Sequence, residues 1–141
     1  LSQLPPAPRS LQPRSPKLAL LFLVTGDIPT EVVWRAFLGD DLGGGRASVY
    51  VHPRVGFSFA PTSLFYGHEL TEKERRSARW GAVTIAEAMV QLLRAALRDP
   101  ANMAFVFLSE SCVPVHSFEC TYTFFFGTSG GGDGGGGGGG G

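Results

Sequence analysis

Short runs of apolar and β-branched residues alternate along the chain with segments of helical period. Residues 18–24 (LALLFLV) form a continuous apolar run between Pro16 and the breaker Thr25-Gly26-Asp27. A run this short with such flanks predicts a strand buried on both faces. Residues 47–52 (ASVYVH) are rich in β-branched and aromatic side chains and stop at Pro53, which predicts a second strand. Residues 104–108 (AFVFL) are wholly apolar and predict a central strand. Between the first two runs, Pro29 stands at a first-turn position. Ile28, Val32, Val33, Trp34, Phe37 and Leu38 then make a helical stripe that ends at Gly39. Ahead of the third run, Ile85, Met89, Leu92, Leu93, Ala96 and Leu97 recur at steps of three and four. They predict a helix opened by the capping box Thr84-Ile-Ala-Glu87 and closed by Asp99-Pro100.

The remaining segments read less regularly. Residues 40–45 (DDLGGG) predict a loop, and residues 62–66 have the composition of a short extra strand. Residues 71–79 are strongly charged and predict a solvated face, with Arg75, Arg76 and Arg79 mixed among Glu72 and Glu74. Residues 118–126 fit either a short helix or a strand, and Phe124-Phe125-Phe126 would be a sticky surface unless covered. The β-α-β order favours parallel strands with a right-handed crossover, hence an open α/β sheet of nucleotide-binding type. In such sheets ligands sit beyond the carboxyl ends of the strands. Those ends are Thr25-Gly26-Asp27, His52-Pro53-Arg54 and Ser109-Glu110-Ser111.

Composition sets the limits of this core. The chain has 141 residues and 43% hydrophobic side chains, enough for one domain. Twelve basic and twelve acidic residues cancel, which argues against nucleic acid as a partner. Five of ten prolines lie in residues 1–16, which read as a Pro-rich linker or stem. Eleven of twenty glycines lie in residues 130–141, within a Gly-rich disordered tail over 127–141. That leaves residues 17–126 as the folded part. The tail follows an apolar stretch with no domain ending between them, as in a truncated gene product or fragment. There is no signal-peptide pattern, and the longest apolar run falls far short of the ~20 residues that cross a bilayer. A membrane anchor is therefore absent from the chain as given.

Each chemical candidate competes with a structural role. Thr25 and Gly26 either let backbone approach a nucleotide or make an ordinary β-α turn. His52 either bonds a ligand or is a satisfied core histidine. Arg54 either meets a phosphate or is solvated. Ser109, Glu110 and Ser111 either line a sugar or phosphate pocket or cap a turn. Trp80 serves as core packing or as a ring platform. Cys112, His116 and Cys120 are spaced for one helical face, but Pro114 breaks a helix there and no fourth zinc ligand is near. A Cys112–Cys120 bridge requires an oxidising compartment. Neither a GxGxxG nor a P-loop fingerprint is present, and without a G-x-S-x-G elbow a Cys/His hydrolase is poorly supported.

The segments PKLALLFLVTGDIP, Trp34 with Phe37, VYVHPRVGF, FYGHEL, WGAVTIAEAMVQLLRAAL and DPANMAFVFLSESCVPV occur in this order over residues 17–115. Together they resemble the plant and algal branch of the core-2/I-branching N-acetylglucosaminyltransferase-like family. The resemblance implies the N-terminal part of a GT-A-like glycosyltransferase, type II in the Golgi membrane, with its anchor outside this chain. Such proteins move a sugar from a nucleotide donor, UDP-N-acetylglucosamine in animal relatives, to an acceptor glycan or glycoprotein. They do so with inversion and without a metal or other cofactor. It further implies nucleotide-sugar contacts from Thr25, Gly26, His52, Arg54, Ser109, Glu110 and Ser111. Arg54 replaces an Asp of the animal relatives, and the Ser109–Cys112 loop is not a DxD. The family's base is a carboxylate of the C-terminal half, where basic residues also hold the diphosphate. The chain alone is therefore expected to be inactive. The competing expectation is a non-catalytic α/β binding module with the glycine tail as its linker.

Overall fold

The computed structural model describes residues 15–77 and 83–127. Three parallel strands, β1 (Lys17–Leu23), β2 (Ala47–His52) and β3 (Asn102–Leu108), form one sheet in the order β2-β1-β3. Helices α1 (Glu31–Leu38), α2 (Asp41–Gly44), α3 (Val83–Ala96) and α4 (Phe118–Phe126) accompany them. This is an open α/β sheet of Rossmann-like type. Most of the linker over 1–16, most of the tail over 127–141, and Arg79, Trp80 and Gly81 lie outside the described residues.

β1 is central, and its continuous apolar run is explained by its two covered faces. Leu18, Leu20 and Phe22 point into a core with Trp34 and Leu38 of α1 and Phe118 and Tyr122 of α4. Ala19 and Leu21 point the other way, onto Leu92, Ala95 and Ala96 of α3. The first core is aromatic: Phe22 meets Trp34 and Phe65 edge-on, each with centroids 5.1 Å apart. Such pairs contribute about 0.5–1.5 kcal/mol beyond area burial. α4 is fixed from outside by Arg46. Its Nε donates to Asp41 (2.7 Å) and its Nη2 to Glu119 (2.9 Å), while its guanidinium lies over the Phe118 and Tyr122 rings. The two carboxylates hold the Arg46 pKa above its ordinary value.

Several expectations are corrected. β3 is an edge strand of this sheet, with Met103 65% and Phe107 40% exposed, because β1 takes the middle and pairs with both neighbours. Residues 41–44 form the short helix α2, closed by Gly45 at φ +90°, rather than a plain loop. Residues 62–66 are not a strand. Successive turns bend them so that Phe65 is buried against Phe22, and the Glu31 carboxylate accepts from Leu64 N–H (2.6 Å) and Ser63 Oγ (2.9 Å). α1 buries Trp34 and Leu38, whereas Val32 is 75% exposed, so the buried stripe lies one face over from the expected one. α3 begins at Val83, which places Thr84 within its first turn instead of at its cap, and Leu97 beyond it is exposed. The segment 118–126 resolves to a helix whose N-cap is Ser117, with Oγ accepting from Cys120 N–H. Phe124 and Phe125 stay exposed.

The charged segment 71–79 is the largest departure. Val51 N–H donates to His68 C=O (2.9 Å) and Leu70 N–H to Val51 C=O (2.8 Å), so the chain runs beside β2 and then crosses its end. Arg75, expected in solvent, is only 8% exposed. Its guanidinium donates to the carbonyls of Leu70 (2.9 Å), Arg54 (3.2 Å) and Phe57 (2.6 Å) and to Glu72 (2.9 Å). These acceptors satisfy a buried charge that would otherwise be costly.

Candidate functional site

The loops after all three strands open on one cleft of about 390 Å³. β1 and its loop supply Leu23, Val24 and Thr25; β2 and its loop supply His52, Arg54 and Val55. β3 and its loop supply Phe107, Leu108, Ser109 and Glu110, while Ile85 and Met89 of α3 close one side. Arg76 and Ser77 complete the lining. The cleft therefore lies at the carboxyl edge of a parallel sheet, where open α/β folds place ligands. Its walls are largely aliphatic and its polar groups few, as in small-molecule sites generally.

Thr25, His52, Arg54, Ser109 and Glu110 are brought together here. Gly26 and Ser111 adjoin the cleft in sequence without lining it. A Cβ on Gly26 would meet the Phe57 ring at 3.6 Å, an ordinary contact, so that glycine backs onto the β2 loop. Ser111 Oγ lies 3.2 Å from Ser109 Oγ and supports the turn. Within that turn Ser109 N–H donates to Cys112 Sγ and Cys112 N–H to Ser109 C=O. Thr25 Oγ1 donates to Glu110 Oε1 at 3.3 Å, bridging the β1 and β3 loops. The β3 loop is also held from α1: Thr30 Oγ1 (3.2 Å) and Trp34 Nε1 (3.1 Å) both donate to Cys112 C=O.

His52 is 1% exposed. Its Nε2 accepts from Arg76 N–H at 2.9 Å, which assigns the proton to Nδ1. Burial, and then the nearby Arg75 and Arg76 charges, push its pKa below the ordinary histidine value, so the ring is neutral. Arg54 is exposed, with its guanidinium over the Phe57 ring at 5.5 Å. Cys112 and Cys120 are free thiols. Cys112 lies in the β3 loop, His116 in the following bend and Cys120 in α4; among the described residues no three potential metal ligands cluster.

Sequence reasoning did not place Arg76, Ser77, Val55, Ile85, Met89 or Phe107 at the site. Arg76 arrives through the crossing segment, and the one local sign of that path is Leu70, an apolar residue set among polar ones. Ile85 and Met89 were legible as a helix face but not as a cleft wall, because that assignment requires the orientation of α3.

Comparison with known proteins supplies the context. The family model described as "Branch: Core-2/I-Branching enzyme" matches residues 18–131. The chain is 37% identical over 121 residues to "Glycosyltransferase BC10" of Oryza sativa subsp. japonica, across 84% of this chain and 30% of that protein. It thus spans about a third of the length of that relative. No solved structure matches it.

Proposed function

This chain belongs to the Core-2/I-branching enzyme family, a glycosyltransferase family, and from that premise we propose that its cleft is the donor half of a sugar-transfer site. The ligand would be a nucleotide sugar of the UDP-N-acetylglucosamine kind. Thr25, Arg54, Ser109 and Glu110 would touch it, and His52, Gly26 and Ser111 would support the loops that do. The supporting observation is the meeting of three strand-end loops on one aliphatic-walled, polar-tipped cleft. In the whole protein the transferred sugar would form a bond to an acceptor-glycan hydroxyl as the bond to the diphosphate breaks. The hydroxyl proton passes to a base, and the departing charge needs cations.

Glu110 is a poor choice of base, since its carboxylate is already engaged by Thr25. We place the base in the larger part of the family's length that this chain does not span, so that the chain alone binds donor without transferring sugar. The reading requires no metal, because the Ser109–Cys112 loop offers a single carboxylate where a DxD offers two. It places the full-length protein in the Golgi membrane as a type II enzyme. Among the described residues no helix is long and apolar enough to cross a membrane.

The test is calorimetric titration of the chain with UDP-N-acetylglucosamine, UDP-glucose and UDP. Saturable binding that Thr25→Trp abolishes by filling the cleft supports the reading. Binding indifferent to that exposed substitution, or no binding by a folded chain, removes the donor site and favours a non-catalytic module.

A further inference from the structure

We propose that Arg76 and Arg54 form a preset pair of cations that takes the phosphate charge of the ligand, and that Arg75 and His52 are the residues that position the pair. The inference rests on the nucleotide-sugar reading above and adds to it a binding residue, Arg76, and a mechanism of preorganisation. Among the described residues Arg35, Arg46, Arg75 and Arg98 are ion-paired. Arg54, Arg76 and Arg94 have no carboxylate partner there, and two of these three line the same cleft. The chain as a whole has a formal net charge of zero, so this local excess is not a by-product of a basic surface. Two guanidinium groups at one cleft repel each other until an anion arrives between them. Each guanidinium carries five N–H donors in a fork that matches phosphate. Arg76 uses one nitrogen, Nη1, on the carbonyls of Lys73 (3.1 Å) and Arg75 (3.0 Å), which leaves donors for a ligand.

Both cations are held from behind by buried partners. The Arg76 amide donates to His52 Nε2, and His52 terminates β2, so the Arg76 backbone is anchored to the sheet. Arg54 is anchored by its neighbour in the strap: its carbonyl accepts from Arg75 Nη1, which also holds Phe57 C=O, and Phe57 carries the ring under the Arg54 guanidinium. Consecutive residues, Arg75 and Arg76, thereby fix both halves of the pair. Positioning groups before the ligand arrives lowers the ordering cost of binding.

The experiment titrates the chain with UDP, UMP, uridine and inorganic pyrophosphate at fixed pH and ionic strength. The expected order of affinity is UDP, UMP, uridine. Arg76→Gln should weaken UDP about tenfold or more, the scale of a charge-assisted hydrogen bond, while leaving uridine unchanged. Arg54→Gln should do the same, and the double variant should bind UDP no better than uridine. His52→Leu should collapse the UDP-to-uridine ratio. His52→Gln, whose amide oxygen can still accept from the Arg76 N–H, should restore it, a rescue that a merely space-filling role would not show. If UDP binds and Arg76→Gln leaves it untouched, the cation pair is refuted and the donor reading survives. If pyrophosphate binds through Arg76 and UDP binds no tighter, the pair survives and the donor reading is refuted. If a folded chain binds none of the four probes, both are refuted.

Discussion

The Cys112 carbonyl accepts two hydrogen bonds from α1, one from Thr30 Oγ1 and one from Trp34 Nε1. This redundancy makes a quantitative prediction. Trp34→Phe keeps an aromatic ring against Phe22 and Phe37 but deletes the indole donor and some volume, so it should cost about 2 kcal/mol. Thr30→Val is nearly isosteric and deletes the other donor, at about 1 kcal/mol. Neither change alone leaves the carbonyl without a partner. Together they do, and a partly buried acceptor without a donor costs about a further 1 kcal/mol or more. The double variant should therefore be destabilised beyond the sum of the singles. Urea unfolding followed by far-UV circular dichroism would read this as a shift in midpoint at constant m. Additivity to within about 0.5 kcal/mol would show that the two donors do not share the acceptor in solution, and the account of how α1 holds the β3 loop would fail.

Other consequences are open to measurement. Because the pKa of His52 lies below its ordinary value in the folded chain, unfolding takes up a proton once the pH falls below about 6.5. Stability should be complete above that pH and fall as acid is added, levelling off below the folded-state pKa; His52→Gln should remove this part of the profile in a pH series of melts. Burial works against ionisation of Glu31, yet the donors Leu64 N–H and Ser63 Oγ and the Arg35 guanidinium outweigh it and keep the carboxyl below its ordinary value. Glu31→Ala should cost about 2 kcal/mol in the same melts, by releasing the 60–66 turns. Gly26→Ala should be close to neutral for folding and UDP binding, since its Cβ only touches Phe57. Gly26→Val should weaken binding by displacing that ring from beneath Arg54.

The limits of β1 and β2, the apolar face of α3 and the meeting of strand ends were legible because each follows from periodicity or from parallel topology alone. β3 was read as central since an apolar run reports burial, whereas sheet order depends on which strand finds two neighbours. Residues 62–66 looked like a strand because aromatic content does not distinguish a side chain buried from a turn from one buried from a ladder. The greatest loss was at Arg75 and Arg76. A charged run reads as solvated wherever the acceptors that would satisfy it are backbone carbonyls, here those of Leu70, Arg54 and Phe57, which carry no sequence signature. Arg76 was hidden for the same reason, since its anchor is a histidine ring far away in the chain.

The position of β1 also bears on how the chain reaches its native state. It emerges first in synthesis, finds Ala47 and its neighbours soon after, and must wait for Ala104 and the rest of β3 before its other flank closes. Loop-closure entropy makes that second pairing the slow, high-contact-order step. Until then the segment LALLFL presents an open ladder of high β-propensity to any other nascent chain. The folding trap of this protein is therefore its own centre strand, and holdase capture during translation should peak before residue 108 is free.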